Sequence, residues 1–121
     1  EDMAVPTSRM AELVDTIQAL SDKYPELEIF TAGHAGDGNL HPTVTWSKDS
    51  KEIPESVNIV LHEMFTKALE LGGTISGEHA VGMLKNQWNN VELGEDVDWI
   101  QHQIKSLLDP MNLLNPKRKI D

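Results

Sequence analysis

Two runs of alternating polarity flank a glycine-rich segment, and this pairing limits the fold more than any other feature of the chain. Residues 27–33 place Leu27, Ile29 and Thr31 on one side and Glu28, Phe30 and Ala32 on the other. Residues 39–46 place Leu40, Pro42, Val44 and Trp46 on one face and His41, Thr43 and Thr45 on the other. A period of two is the signature of a half-buried strand. The segment between them, Gly33-His34-Ala35-Gly36-Asp37-Gly38, holds three glycines, and Asp-Gly is a favoured centre for a type I′ hairpin turn. An antiparallel hairpin is expected, with Asp37 and Gly38 central and residues 34 and 41 directly paired. Pro42 has no backbone donor, which favours an edge position for the second strand.

Helices are expected on either side. Met10, Leu13, Val14, Ile17 and Leu20 recur at three and four over 8–23, with Thr7 or Ser8 as N-cap and Tyr24-Pro25 as the stop. Residues 54–71 carry a stripe of Val57, Val60, Leu61, Met64, Ala68 and Leu71, opened by Pro54 and closed by Gly72-Gly73. Thr74-Ile75-Ser76 suits a short strand. Residues 79–88 leave a short helix open. A last helix over 95–108 presents Val97, Ile100, Ile104 and Leu107 on one face. Trp46, Trp88 and Trp99 read as packing residues. The expected class is α+β: a small antiparallel sheet with helices packed on one face, part of a ferredoxin-like cap domain plus C-terminal helices.

Composition narrows the functions. The 121 residues suffice for one domain. Ten Lys and Arg against twenty Asp and Glu give a net charge of −10. Nonspecific binding to nucleic acid or to an anionic membrane needs basic patches, so neither is expected. Without Cys there is no disulfide framework, thiolate metal site or thiol nucleophile. No apolar run approaches the roughly 18 residues of a membrane span, and the start lacks the basic and apolar regions of a signal peptide. The cytoplasm is the expected compartment. Met3 lies behind two acidic residues, which suggests a piece of a longer polypeptide.

The chemistry concentrates in two segments. In the expected hairpin His34 and His41 are cross-strand neighbours, with Cβ atoms roughly 4.5–5.5 Å apart, and two such imidazoles can share a divalent cation. Glu78-His79 offers a hard oxygen ligand and an imidazole of the kind used as a general base. His34, His41 and Glu78 with an open position would form a Lewis-acid site. The same residues also suit a plainer reading, as two histidines beside a polar turn and an acidic residue at a helix N-terminus. His62 and His102 read as surface residues. GHAGDG is followed by no Gly-Lys-Ser/Thr, so it is no P-loop, and Ser76 lies in no nucleophile elbow.

GHAGDGNLHP followed by GGTISGEHAVG resembles the C-terminal domain of FAD-linked oxidases of the vanillyl-alcohol oxidase type, on the side of glycolate oxidases and D-lactate dehydrogenases. The resemblance runs from Val5-Pro6-Thr7-Ser8-Arg9 to Leu113-Leu114-Asn115-Pro116. It implies oxidation of a D-2-hydroxy acid such as glycolate or D-lactate, with hydride passing from the α-carbon to FAD. It implies His34, His41 and Glu78 as ligands of a divalent metal, zinc or manganese, and His79 as the base for the hydroxyl proton. It implies Asn39 and Thr43 beside the substrate, and Gly77 and Asn115 beside the cofactor.

In such proteins an N-terminal domain supplies most of the FAD site. Residues 1–121 are therefore expected to be a fragment, inactive alone, whose partners are the rest of the flavoenzyme or further subunits. The intact enzyme is expected in the cytoplasm or peripherally at a membrane, and the fragment is expected to self-associate. The chain departs from the family pattern where Ala80 and Lys117 stand in place of glycines. Ala disfavours positive φ, so a shifted backbone is expected at residue 80. The rival expectation is a free-standing metal-binding or dimerising module without enzymatic activity.

Overall fold

The computed structural model describes residues 1–49 and 52–120. They form two compact units, one ending at Glu78 and the other beginning at His79.

The first unit contains β1 (Met3–Ala4), α1 (Met10–Lys23), β2 (Leu27–His34), β3 (Asn39–Trp46) and α2 (Glu55–Glu70). The sheet is antiparallel, in the order β1-β3-β2. The α+β class expected from the sequence is the class observed. Leu27, Leu40 and Pro42 are buried, whereas Phe30, Thr43 and His34 on the opposite face are exposed. Helix α1 packs on β2 and α2. The core is built from Leu13, Leu20, Leu40, Val60, Met64 and Phe65. Burying a side chain such as Phe65 contributes roughly 1.5–3 kcal/mol. Helix α1 is entered through a 3-10 turn at Thr7–Arg9, so Arg9 holds the N-cap position expected for Thr7 or Ser8. It stops at Lys23, ahead of Tyr24-Pro25.

Three expectations about the sheet are corrected. The hairpin register is His34↔Asn39, Gly33↔Leu40 and Ala32↔His41, so His34 and His41 are diagonal rather than direct neighbours. The connection spans four residues: a 3-10 turn over Ala35–Asp37, then Gly38 with φ 75°. Only Gly38 is left-handed here, whereas a type I′ turn needs positive φ at two successive residues. The approach of Val5 accompanies this turn. The Val5 amide donates to the Gly38 carbonyl at 3.0 Å, and a Cβ on Gly38 would lie 2.0 Å from the Val5 carbonyl oxygen.

β3 is the central strand despite Pro42. β1 pairs with Asn39 and Leu40, and on that side Pro42 has no amide to donate and can only accept. The Pro42 carbonyl accepts the Glu1 nitrogen at 2.6 Å. The expected strand at residues 74–76 is a single bridge, Ala4↔Thr74. β1 itself was not expected.

The second unit opens with turns over residues 79–85 and continues as α3 (Asn86–Leu108). Gly94 breaks α3 at φ 78°, ψ 166°, a region open essentially to glycine alone. The helix expected at 95–108 is the part beyond this break. Trp88 and Asn89 are buried, but Trp99 is 62% exposed and is no packing residue. The apolar stripe of Ile100, Ile104 and Leu107 is also exposed. Asp109 closes the helix: it pairs with Lys105 and accepts the amides of Leu113 at 2.9 Å and Leu114 at 2.8 Å. Asn86 ties down the tail, donating to the Lys117 carbonyl and accepting the Lys119 amide, each at 2.8 Å.

Ala80 has φ 67° and Lys117 φ 63°, so both stand in the left-handed region that favours glycine. An L-residue with a Cβ loses about 1–2 kcal/mol there. Ala80→Gly should therefore stabilise the protein by about 1 kcal/mol, read as a higher denaturant midpoint; an unchanged or lower midpoint contradicts the left-handed assignment. The Asp109 carboxyl is lowered to about 2, first by its hydrogen bond with Lys105 and then by the two amides. A lowered folded-state pKa contributes stability that is complete above the unfolded value near 4 and is lost as pH falls toward 2. Asp109→Asn should flatten the fall of the unfolding midpoint between pH 5 and pH 2.5, and an equally steep fall in the variant would exclude this origin.

Candidate metal centre

The slip of the hairpin register moves pairing by two residues, and side chains alternate with period two. His34 and His41 therefore stay on one face. His34 ends β2 and His41 is the third residue of β3. Diagonal neighbours remain within reach of long or aromatic side chains. The ring centroids are 5.3 Å apart, edge to face.

Glu78, the last residue of the first unit, meets both rings. Its Oε1 lies 3.3 Å from His34 Nε2 and 3.1 Å from His41 Nε2. One ligand atom from each of the three residues lies within 4.8 Å of the others. Donor atoms that share one cation at bonds of about 2.0–2.2 Å stand roughly 3.0–3.5 Å apart, and the two Glu78–imidazole distances match that spacing. Two imidazole nitrogens and one carboxylate oxygen suit zinc or manganese. His34 and Glu78 have side chains 58% and 49% exposed, which leaves room for further ligands from solvent or substrate. His41 is held more deeply, at 18%.

Beneath these residues lies Asp2, 1% exposed. Its Oδ1 accepts Asn39 Nδ2 at 2.6 Å, and its Oδ2 accepts the Glu78 amide at 3.0 Å and the Ser76 hydroxyl at 3.2 Å. Oδ1 also stands 3.7 Å from His41 Nδ1. Asn39 Nδ2 donates a second bond, to the Met3 carbonyl at 3.2 Å. The Asn39 side-chain oxygen is buried and has no hydrogen-bond partner among the described residues. Gly77 makes this packing possible, because a Cβ there would lie 1.9 Å from Asn39 Nδ2.

The structure thus brings His34, His41 and Glu78 together, with Asn39 and Gly77 on their underside. Thr43 is exposed on the same sheet face, two residues beyond His41. His79 and Asn115 belong to the second unit; both are exposed, and Asn115 has φ 47°. Sequence reasoning missed Asp2. The available signal was Asp2 and Ala4 alternating with Met3 and Val5, a pattern too short to separate a strand from a polar terminus.

The family described as FAD linked oxidases, C-terminal domain, matches residues 1–118. The chain belongs to this family. It is 44% identical over 116 residues to the glycolate oxidase subunit GlcD of Bacillus subtilis (strain 168), covering 96% of this chain and 24% of that protein. It is 35% identical over 124 residues to the mitochondrial D-lactate dehydrogenase [cytochrome] of Kluyveromyces lactis, covering 99% of this chain and 20% of that one. With the D-lactate dehydrogenase of Archaeoglobus fulgidus the figures are 37% over 123 residues, 98% and 26%. The chain spans about a quarter of the length of these curated relatives or less. Among the described residues, no helix is long and apolar enough to cross a membrane.

Gly77→Ala should force the added methyl into the Asn39 amide and destabilise the protein by about 1–3 kcal/mol. Denaturant unfolding measures this; a midpoint equal to that of the parent would show that Asn39 does not need the space.

Proposed function

We propose that this chain is the C-terminal portion of a flavin-dependent oxidoreductase that oxidises a small D-2-hydroxy acid, glycolate or D-lactate, to the 2-oxo acid. The observation that carries the reading is the convergence of His34, His41 and Glu78 in a chain of the FAD linked oxidases. The names of the relatives supply the substrate class. FAD, when bound, supplies the acceptor for the hydride leaving the substrate α-carbon, and in this reading polypeptide outside residues 1–121 holds most of it. His34, His41 and Glu78 would hold a divalent cation able to polarise the substrate hydroxyl and carboxylate.

This chain's own residues then have separate tasks. His79, one residue beyond Glu78, takes the hydroxyl proton on its imidazole. Thr43 faces the same side of the sheet as His41 and contacts the substrate. Asn39 lies beside the substrate and Gly77 beside the cofactor. Asn115 approaches the flavin. The net charge of −10 makes a local cation useful, since an anionic acid would otherwise meet a repelling surface.

The reading also assigns a partner surface. Ile100, Ile104, Leu107, Leu108, Met111 and Leu113 are all more than half exposed. Exposed apolar side chains at helical spacing suit a contact site. The remaining polypeptide of the flavoenzyme is the proposed occupant, and without it the 121 residues should self-associate and be inactive. The cytoplasm, with peripheral attachment at a membrane, is the proposed location of the intact enzyme.

The test is dye-linked oxidation of glycolate and D-lactate by the intact protein. Turnover is expected with at least one of them, and His79→Ala should lower it by a factor of about 10² or more. Full activity in that variant would remove His79 from its role, and no oxidation of any 2-hydroxy acid by flavin-loaded protein would remove the reaction.

A further inference from the structure

We propose that Asp2 is a positioning residue of the metal centre, whose buried carboxylate sets the His41 ring and the Glu78 backbone in place before a cation arrives. The inference rests on the reading of His34, His41 and Glu78 as metal ligands.

Three observations carry it. The first is burial. A carboxylate at 1% exposure has given up its water, which is costly unless donors replace the lost hydrogen bonds. An apolar residue would fill that space at lower cost, so retention of a charge there calls for a use. The second is the identity of the donors. Asn39 lies on β3 two residues before His41, while Ser76 and the Glu78 amide lie on the segment that ends in the third ligand. The carboxylate is thus bonded to both chain segments that deliver His41 and Glu78.

The third is the orientation of His41. Its Nδ1 faces Asp2 Oδ1 at 3.7 Å, and its Nε2 faces Glu78 Oε1 at 3.1 Å. The first distance is longer than a hydrogen bond, so the interaction is an electrostatic one that favours the ring with Nδ1 inward. A carboxylate behind a metal-ligating imidazole fixes its orientation. Asp2 thereby selects Nε2 as the ligand atom of His41. Gly77 belongs to the same device, because only a residue without Cβ lets the Asn39 amide reach Asp2 between Ser76 and Glu78.

The experiment uses the intact protein, stripped of metal and titrated with Mn2+ and with Co2+ against a chromophoric chelator. The visible absorption of bound Co2+ reports the ligand geometry. Asp2→Asn keeps the size and removes the charge; it should weaken cation affinity about 10- to 100-fold and alter the Co2+ spectrum. Ser76→Ala leaves the charge and removes one of its anchors. It should weaken affinity several-fold, and it serves as the decisive variant if Asp2→Asn does not fold. Parent-like affinity and spectrum in the folded variant, while His41→Ala abolishes binding, would overturn the role of Asp2 and leave the metal reading standing. A parent protein that takes up neither ion would overturn both.

Discussion

A buried carboxylate must have its charge met by donors, and Asp2 meets that demand with groups from separate stretches of the chain. Asn39 comes from the start of β3, and Ser76 and Glu78 from the segment beyond α2. The same neighbourhood explains how a two-residue strand persists, since short isolated strands are marginal in water. Ala4 exchanges two backbone bonds with Thr74, at 3.1 and 2.8 Å, while Val5 binds Gly38. Residues 1–5 are thus clamped between β3 and the 74–78 segment. Buried Met3 and Val5 supply the apolar half of the clamp, and Asp2 supplies the polar half.

The hairpin adds a second constraint, one of parity. A register slip of one residue would have sent His34 and His41 to opposite faces of the sheet. The observed slip relative to a two-residue turn is two, so the face is preserved and only the pairing changes. The site tolerates this because Glu78 reaches both rings from outside the sheet. Its single Oε1, at 3.1 and 3.3 Å, bridges the offset that the diagonal arrangement leaves. Chemistry of this kind depends on the face and the reach of side chains more than on direct strand pairing.

These two constraints differ in how well the sequence displays them. Alternation over residues 27–33 and 39–46 is a local signal, and it located both strands and the shared face of the histidines. The periodic runs in α1 and α2 are equally local, and their ends followed Tyr24-Pro25 and Gly72-Gly73 closely. The turn type was not legible, because it is set by Val5 approaching Gly38 from 33 residues away in the sequence. For the same reason Pro42 suggests an edge strand: the residues that pair with the other side of β3 lie far away in the sequence. Asp2 was invisible because nothing local distinguishes a buried carboxylate from a solvated one. His34, His41 and Glu78 could be nominated by type and motif, but their convergence is a tertiary fact.

The second unit shows where periodicity stops being informative. The spacing of Ile100, Ile104 and Leu107 correctly marks one apolar face, yet it says nothing about what covers that face, and these residues stand exposed. A helix gains most of its stability from packing such a face, so α3 gains little here from its own stripe. The unit also carries the costly backbone. Among the described residues, those with positive φ other than glycine lie beyond residue 79, and Ala80, Lys117 and Lys119 among them have no special tolerance for that conformation. Asp109 and Asn86 offset part of this by tying the tail to α3. Strain with little compensating burial belongs to the low-stability end of a protein, where local opening comes first. The first unit, with its closed core and its clamp around Asp2, holds the three candidate ligand side chains on one face. The second leaves its apolar stripe exposed and relies on the bonds of Asp109 and Asn86.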